Sequence, residues 1–515
     1  MNRKEKLTLV KNSAANVARG GASALVALVL PPFLVRLMSP DSYGVWSLVL
    51  QVSLFVGYFD FGIQTAVGRF VAHANEKGDT ESRDRITSTA FAALSVAGAL
   101  ALAGTLGMVA LLPHIFKQMP GALVGDARIA LLLVGGSLAI GLPASVFNGI
   151  FVGIQRYELP AMVIGGSRIT SAIVVILVLR SGGTLIAMAV TVATCNLAAY
   201  LIQYLLYKRF DGGTRISCSL VTSAAGRELI HYCISLTIWS FATLLVTGLD
   251  IALVGIFDFS AVAYYTVAAT LISFILGLQN AIFGMLIPAA AVLDARGSTS
   301  ELGSMLVSAT RFGMFLLFAS GVPLLIAAGP ILSIWVGPTY AVHASLILRV
   351  LVVANIIRLS AVPYAMLLVG TGQQQLVTVS PLIEGFSNLL ISVVAGYKWG
   401  AIGVAVGTLI GSTIGILCNF AYNMPRSTRI AASRLNYITE GYLRPLICVS
   451  PFLIVYVFCH LFRALDEVTE FRCLLIAAVL TIALVWRFGL RQVERAKALA
   501  WVGMGPSTRE GAETL

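Results

Sequence analysis

Val152-Gly153-Ile154-Gln155-Arg156 is followed by an apolar stretch and then by Gly182-Gly183-Thr184-Leu185-Ile186-Ala187. The same order returns 217 residues later, as Val369-Gly370-Thr371-Gly372-Gln373, an apolar stretch, and Trp399-Gly400-Ala401-Ile402-Gly403-Val404. Ser42-Tyr43-Gly44-Val45-Trp46 and Ala261-Val262-Ala263-Tyr264-Tyr265 stand 219 residues apart, as do the loops at Gly78 and Gly297. An offset kept through several landmarks marks a duplicated unit. The repeat therefore organises the fold, and the next question is what one copy contains.

Each copy contains six apolar segments. Fourteen such segments, each long enough to span a bilayer as a helix, cover 12–36, 42–71, 86–112, 128–153, 158–179, 184–207, 229–256, 261–292, 302–335, 342–369, 376–397, 400–424, 442–462 and 471–487. The first twelve form the two copies, and the last two form a hairpin outside the repeat. An even number of helices per copy makes both copies run the same way through the membrane. That suits two bundles related by an axis along the membrane normal, with a path between them. The expected organisation is a six-helix lobe over 1–208, a basic linker over 209–228, a second six-helix lobe over 229–424, and a helix pair with a basic tail over 425–515.

Composition agrees. Only 11% of the 515 residues are charged and 58% are hydrophobic, whereas soluble chains carry about 25% charge. Mean hydropathy is +0.90. No loop between segments is long enough to house an external catalytic domain. There is no GxxxxGK[ST] for ATP, no Asp-Xaa-Asp for sugar nucleotides, and no His/Cys cluster with metal-ligand spacing. The seven cysteines form no CxxC pair and read as small packing residues. The first apolar segment is too long for a cleavable signal peptide.

The net charge of +12 is mostly topological. Of 35 Lys and Arg, 22 fall on one set of alternate loops, which includes both termini, and 7 on the other. The positive-inside bias places both termini in the cytoplasm, with no call for nucleic acid. The other six cations are arginines inside spans.

The opening residues resemble a known family. Asn12 to Gly20, Leu30-Pro31-Pro32-Phe33-Leu34-Val35-Arg36-Leu37, Tyr43-Gly44-Val45-Trp46, Phe59-Asp60-Phe61-Gly62-Ile63 and the Gly78-Asp79 loop are similar to bacterial polysaccharide (O-antigen) flippases of the multidrug/oligosaccharidyl-lipid/polysaccharide exporter superfamily. Val152-Gly153 and Val369-Gly370 resemble the Xaa-Gly-Xaa-Gln loops of that family. The resemblance covers roughly the first 424 residues. It implies an all-α polytopic fold, with two six-helix lobes in a V and a C-terminal helix pair. It also implies alternating access and transfer of an undecaprenyl-pyrophosphate-linked glycan to the outer leaflet of the bacterial inner membrane. Glycan-assembly proteins such as a polymerase would be its partners. A multidrug or metabolite antiporter of the same fold is the main alternative. A membrane-embedded polymerase or acyltransferase is disfavoured by the missing catalytic loops.

Charges within spans are the site candidates, because each costs about 2.5–3.5 kcal/mol at a helix centre. Arginine suits a lipid-linked pyrophosphate, since its planar fork binds phosphate oxygens and keeps its charge. Arg19, Arg168 and Arg311 are the cavity candidates, with snorkelling for Arg19 and lobe-internal pairs for the others as alternatives. Gln279 and Asn280 are candidates for sugar hydroxyls, or else bond between helices. Asp60 and Asp250 are candidates for coupling or gating by H⁺ or Na⁺, and no resident cofactor or metal is expected. Arg358 and Glu384 lie at similar depth on neighbouring spans and are expected to form a structural ion pair. Arg69, His231 and Arg349 complete the set, the first two placed near span ends.

Overall fold

A computed structural model describes residues 26–210, 213–462, 467–492 and 494–496. Among these, every regular element is helical. α1 (Val26–Leu37) leads to α2 (Pro40–Leu54), which a tighter turn over Phe55–Asp60 extends. α3 (Ile63–Lys77), α4 (Thr80–Ile115), α5 (Gly121–Gly141), α6 (Ser145–Gly153), α7 (Glu158–Arg180) and α8 (Leu185–Phe210) complete the first copy. The second copy holds α9 (Ser223–Thr243), α10 (Asp250–Phe257), α11 (Val262–Phe283), α12 (Leu286–Ala295), α13 (Thr299–Ile326), α14 (Ala328–Val336), α15 (Pro338–Leu359), α16 (Val362–Gly370) and α17 (Gln374–Cys418). The short α18 (Met424–Arg426) and α19 (Arg434–Ile438) precede α20 (Arg444–Phe462) and α21 (Glu467–Leu484).

Among the described residues, eleven helical runs are long and apolar enough to cross a membrane, against the fourteen expected of the whole chain. Two of the missing spans are present as shorter apolar helices, Val26–Leu37 and Leu475–Gly489. The third is hidden in the run Thr378–Arg426, which turns back on itself at Gly400. Gly400 has φ 58° and ψ −137°, a left-handed geometry that favours glycine. Ala401 N–H donates to Asp258 Oδ2 at 3.4 Å, so Asp258 caps the returning arm.

The two arms of α17, 374–399 and 401–418, then pack antiparallel along a glycine seam. A Cβ added at Gly403 would stand 2.1 Å from the Ala395 carbonyl oxygen, and one at Gly407 2.7 Å from Ser392 Cα. At Gly411 it would meet Asn388 Cα at 3.0 Å, and at Gly415 it would meet Glu384 Cβ at 3.0 Å. One glycine every fourth residue keeps a single face of the helix bare, so the backbones meet directly.

The same device explains the repeated glycines of the sequence. A Cβ at Gly153 would lie 2.6 Å from Val71 Cβ and 3.0 Å from the Gly68 carbonyl oxygen. Gly149 and Gly68 meet their partners as closely, at 2.7 Å and 3.1 Å, so α6 lies flush on α3. Around this contact sits a core of Val67, Val71, Leu94, Phe147, Ile150 and Phe151. At Gly370, the repeat counterpart of Gly153, a Cβ would stand 2.5 Å from the Ile287 carbonyl oxygen, where α16 meets α12. The motif thus marks a helix crossing in each copy.

Several expected spans are broken in mid-course. Segment 42–71 breaks at Phe61 and Gly62, whose φ values are 50° and 78°. Segment 128–153 breaks between α5 and α6, next to Pro143. In the second copy, breaks separate α11 from α12 and α15 from α16. Broken helices free backbone groups inside the membrane, a recurrent setting for transporter sites.

By packing, the chain divides into two compact units. One comprises the described residues through Ile282 together with Ala327–Arg358 and Gln373–Arg426. The other comprises Phe283–Ile326, Leu359–Gly372 and the described residues from Ser427 onward. This grouping cuts across the sequence repeat, because α12, α13 and α16 join the C-terminal helix pair.

Candidate functional site

The breaks in the first copy create a polar cavity. Asp60 ends the tight turn after α2, and the backbone N–H groups of Gly62 and Gln64 bond to its carboxylate. Ser145, first residue of α6, donates its hydroxyl to Asp60 Oδ1 at 3.2 Å. The cavity is about 440 Å³, and Asp60, Gln64, Asn148, Arg168, Asn196 and Gln203 supply its polar lining. Asn148 Oδ1 and Gln203 Oε1 are buried and have no hydrogen-bond partner among the described residues. A buried amide oxygen left unbonded costs about 1–3 kcal/mol. Asn196 Nδ2 is committed to Ser137 Oγ at 3.0 Å. Ser167 Oγ bonds the Cys195 carbonyl at 3.1 Å, tying α7 to α8 behind the cavity. Two candidates from sequence, Asp60 and Arg168, are therefore brought to one cavity.

A second polar group gathers around Asp250, at the start of α10. A wide helical turn over Leu244–Gly248 precedes it. Tyr265 Oη and Thr408 Oγ1 each donate to Asp250 Oδ2 at 3.2 Å. Asn388 Nδ2 lies 3.4 Å from Asp250 Oδ1 and donates to the Val246 carbonyl at 3.1 Å. Tyr265, Asn388 and Thr408 are all buried. Ser412 donates to Glu384 Oε1 at 3.3 Å. The glycine seam makes this possible, since it sets Glu384 and Asn388 directly against the arm that carries Thr408 and Ser412.

Arg358 acts electrostatically on both Asp250 and Glu384, while its Nη2 bonds to Asn355 Oδ1. The simple Arg358–Glu384 pair expected from sequence becomes a three-member charge group with Asp250. Two carboxylates against one guanidinium give a formal charge of −1 when both are ionised.

Arg311 takes a different place from the cavity lining expected of it. It is fully buried in the second unit, with Nη2 on Glu494 Oε1 and Nη1 3.6 Å from Glu440 Oε2. This is the ion-paired alternative. Gln279 is buried on α11 and Asn280 is exposed, about 100° apart around the helix. Arg69 lies over the Tyr232 ring at 4.7 Å, and His231 is exposed. Arg19 lies outside the described residues. The neutral members Asn148, Gln203, Asn388, Tyr265 and Thr408 escaped a reading aimed at charges. Their signal was polarity inside apolar runs.

These features define an all-helical polytopic membrane protein. The chain belongs to the polysaccharide biosynthesis protein family, whose pattern it matches over residues 9–293. It is 20% identical over 445 residues to the uncharacterized membrane protein EpsK of Bacillus subtilis (strain 168), covering 84% of this chain and 86% of that one. A 150-residue stretch is 27% identical to a Shigella flexneri protein provisionally named as an O-antigen transporter, covering 29% and 34% of the two chains. The fold is similar to that of the lipid II flippase MurJ in an inward closed conformation, with a TM-score of 0.70, 15% identity and 96% and 99% coverage. It is also similar to an inward-facing multidrug resistance MATE family transporter of the MOP superfamily, with a TM-score of 0.56, 15% identity and 81% and 96% coverage.

Proposed function

We propose that the chain moves an undecaprenyl-pyrophosphate-linked oligosaccharide from the cytoplasmic to the outer leaflet of a bacterial inner membrane, by alternating access. The observation that carries this reading is the polar cavity enclosed by otherwise apolar helices. Arg168 offers a fixed positive charge for phosphate oxygens. The unbonded carbonyls of Asn148 and Gln203 offer acceptors for sugar hydroxyls. The lining combines one cation, Arg168, and one carboxylate, Asp60, with the amides of Gln64, Asn148, Asn196 and Gln203, and this polar, hydrogen-bonding surface favours a hydroxyl-rich cargo over the apolar cationic drugs an antiporter of this fold would carry. The lipid II named for MurJ is a cargo of this chemical class, and the family description points to glycan assembly.

The Asp250–Arg358–Glu384 group is the proposed coupling site. Its surplus negative charge is neutralised by taking up one H⁺ or Na⁺, which removes the cost of an unbalanced charge within the bilayer. Both termini lie in the cytoplasm in this reading.

The test is a proteoliposome assay that scores protection of a lipid-linked oligosaccharide from an external enzyme. Arg168→Ala and Arg19→Ala should each lower the flipping rate at least tenfold, and the lysine variants should retain part of it. Both alanine variants should remain monodisperse. Flipping at the full rate by Arg168→Ala and Arg19→Ala would refute the arginine-lined route. Extrusion of organic cations by the wild-type protein, without glycan transfer, would favour the antiporter.

A further inference from the structure

The second unit carries a charge cluster that the transport reading leaves unused. The turn Thr439–Leu443 and the segment after α21 both press on α13. A Cβ at Gly441 would stand 3.2 Å from Thr310, and one at Gly489 2.7 Å from Phe315. Between these contacts lies Arg311. Glu440 Oε2 accepts from Arg444 Nη1 at 2.5 Å and lies 3.6 Å from Arg311 Nη1 and 4.0 Å from Arg491 Nη2. Glu494 Oε1 holds Arg311, and Glu494 Oε2 accepts from the Arg491 N–H at 2.7 Å. Arg444 Nε donates to the Phe488 carbonyl. Three arginines thus face two glutamates, leaving one positive charge over.

Beside this cluster is a cavity of about 290 Å³ with two chemical halves. Thr439, Glu440 and Arg444 line one, and Leu443, Ile447, Cys448 and Phe488 line the other. Leu443, Ile447 and Phe488 are 46%, 57% and 59% exposed. They sit on the first turns of a spanning helix and on the turn that follows α21, so the apolar half opens toward lipid.

We propose that this cavity binds an anionic phospholipid, with its phosphate on Arg444 and Arg491 and an acyl chain along Leu443, Ile447 and Phe488. One surplus positive charge matches a phosphodiester that carries a single negative charge. A pyrophosphate would bring a second, facing Glu440. The apolar half selects a molecule that arrives from the bilayer. The bound lipid neutralises the cluster and so holds the segment after α21 against α13.

The experiment uses the full-length protein in mild detergent, with lipid retention counted by native mass spectrometry and thermal unfolding followed in parallel. Phosphatidylglycerol should be retained at least fivefold better than phosphatidylcholine and should raise the unfolding temperature. Arg444→Gln should bind phosphatidylglycerol about fivefold more weakly, the effect of one cation at an anionic lipid surface. Arg491→Gln, whose side chain is more exposed, should do the same and serves if Arg444→Gln does not fold. Arg426→Gln, at a cation over the Tyr422 ring, should bind as wild type. Equal retention of the two lipids by the wild-type protein overturns the proposal. So does full phosphatidylglycerol preference in both variants. Stabilisation by inorganic phosphate alone, with no further gain from phosphatidylglycerol, would make this a free-phosphate site and overturn the lipid assignment.

Discussion

Replacing glycine by alanine should have opposite signs at different helices, and the structure sets the size. At Gly153 a new Cβ would sit 2.6 Å from Val71 Cβ, which is fixed to the α3 backbone, and 3.0 Å from the Gly68 carbonyl oxygen. Ordinary carbon contacts lie near 3.5–4.0 Å, so α3 and α6 must separate by about 1 Å. Overpacking of this kind costs about 1–3 kcal/mol. Gly370→Ala meets a rigid carbonyl at 2.5 Å and belongs at the upper end of that range. Gly104 and Gly166 sit within α4 and α7 with nothing within 4 Å of an added Cβ. Alanine there should be neutral or stabilising by up to about 1 kcal/mol. The spread between the two classes is therefore about 1–4 kcal/mol. Thermal unfolding of the four variants in one detergent measures it, alongside the flipping rate. If Gly153→Ala and Gly370→Ala unfold with Gly166→Ala, the seam account of the repeat is wrong.

Asp250→Asn should make transport insensitive to an imposed H⁺ or Na⁺ gradient, at least tenfold below the gradient-driven wild-type rate. An unchanged gradient response in vesicles would remove the coupling role. Glu494→Ala should destabilise the second unit by about 3 kcal/mol, because Arg311 is fully buried and removing a partner leaves its charge poorly compensated. Loss of stability should be smaller in Arg311→Met/Glu494→Leu, since a well-packed apolar pair can replace a buried ion pair, and chemical denaturation of both variants compares them.

The repeat, the helical class and the charge bias were legible because each is written locally, in periodicity and in recurring glycines. Gly153 and Gly370 stood out for a backbone reason that sequence alone does not reveal: each sits where a helix crossing leaves no room for a side chain. The boundary between segments 376–397 and 400–424 was legible too, since the chain turns back at Gly400. Asp60 and Arg168 were singled out by charge, and their shared cavity depends on two helix breaks whose depth no local pattern gives. For Arg311 the ion-paired alternative holds, and its partner Glu494, 183 residues away, is beyond the reach of any local pattern. The expected Arg358–Glu384 pairing is joined by Asp250, on which Arg358 also acts. The neutral groups Asn355 and Ser412 take the hydrogen bonds of Arg358 and Glu384.

The α17 seam has a mechanical consequence. Helices that slide past one another do so by moving side-chain ridges between alternative grooves. The face presented by Gly403, Gly407, Gly411 and Gly415 meets the other arm backbone to backbone, and the tight turn at Gly400 joins the two, so their register is pinned at one end. A hairpin joined and packed in this way should move as one beam. Glu384, Asn388 and Thr408 ride on that beam at fixed spacing, so a displacement of the hairpin from Asp250 would break its hydrogen bonds to both arms together.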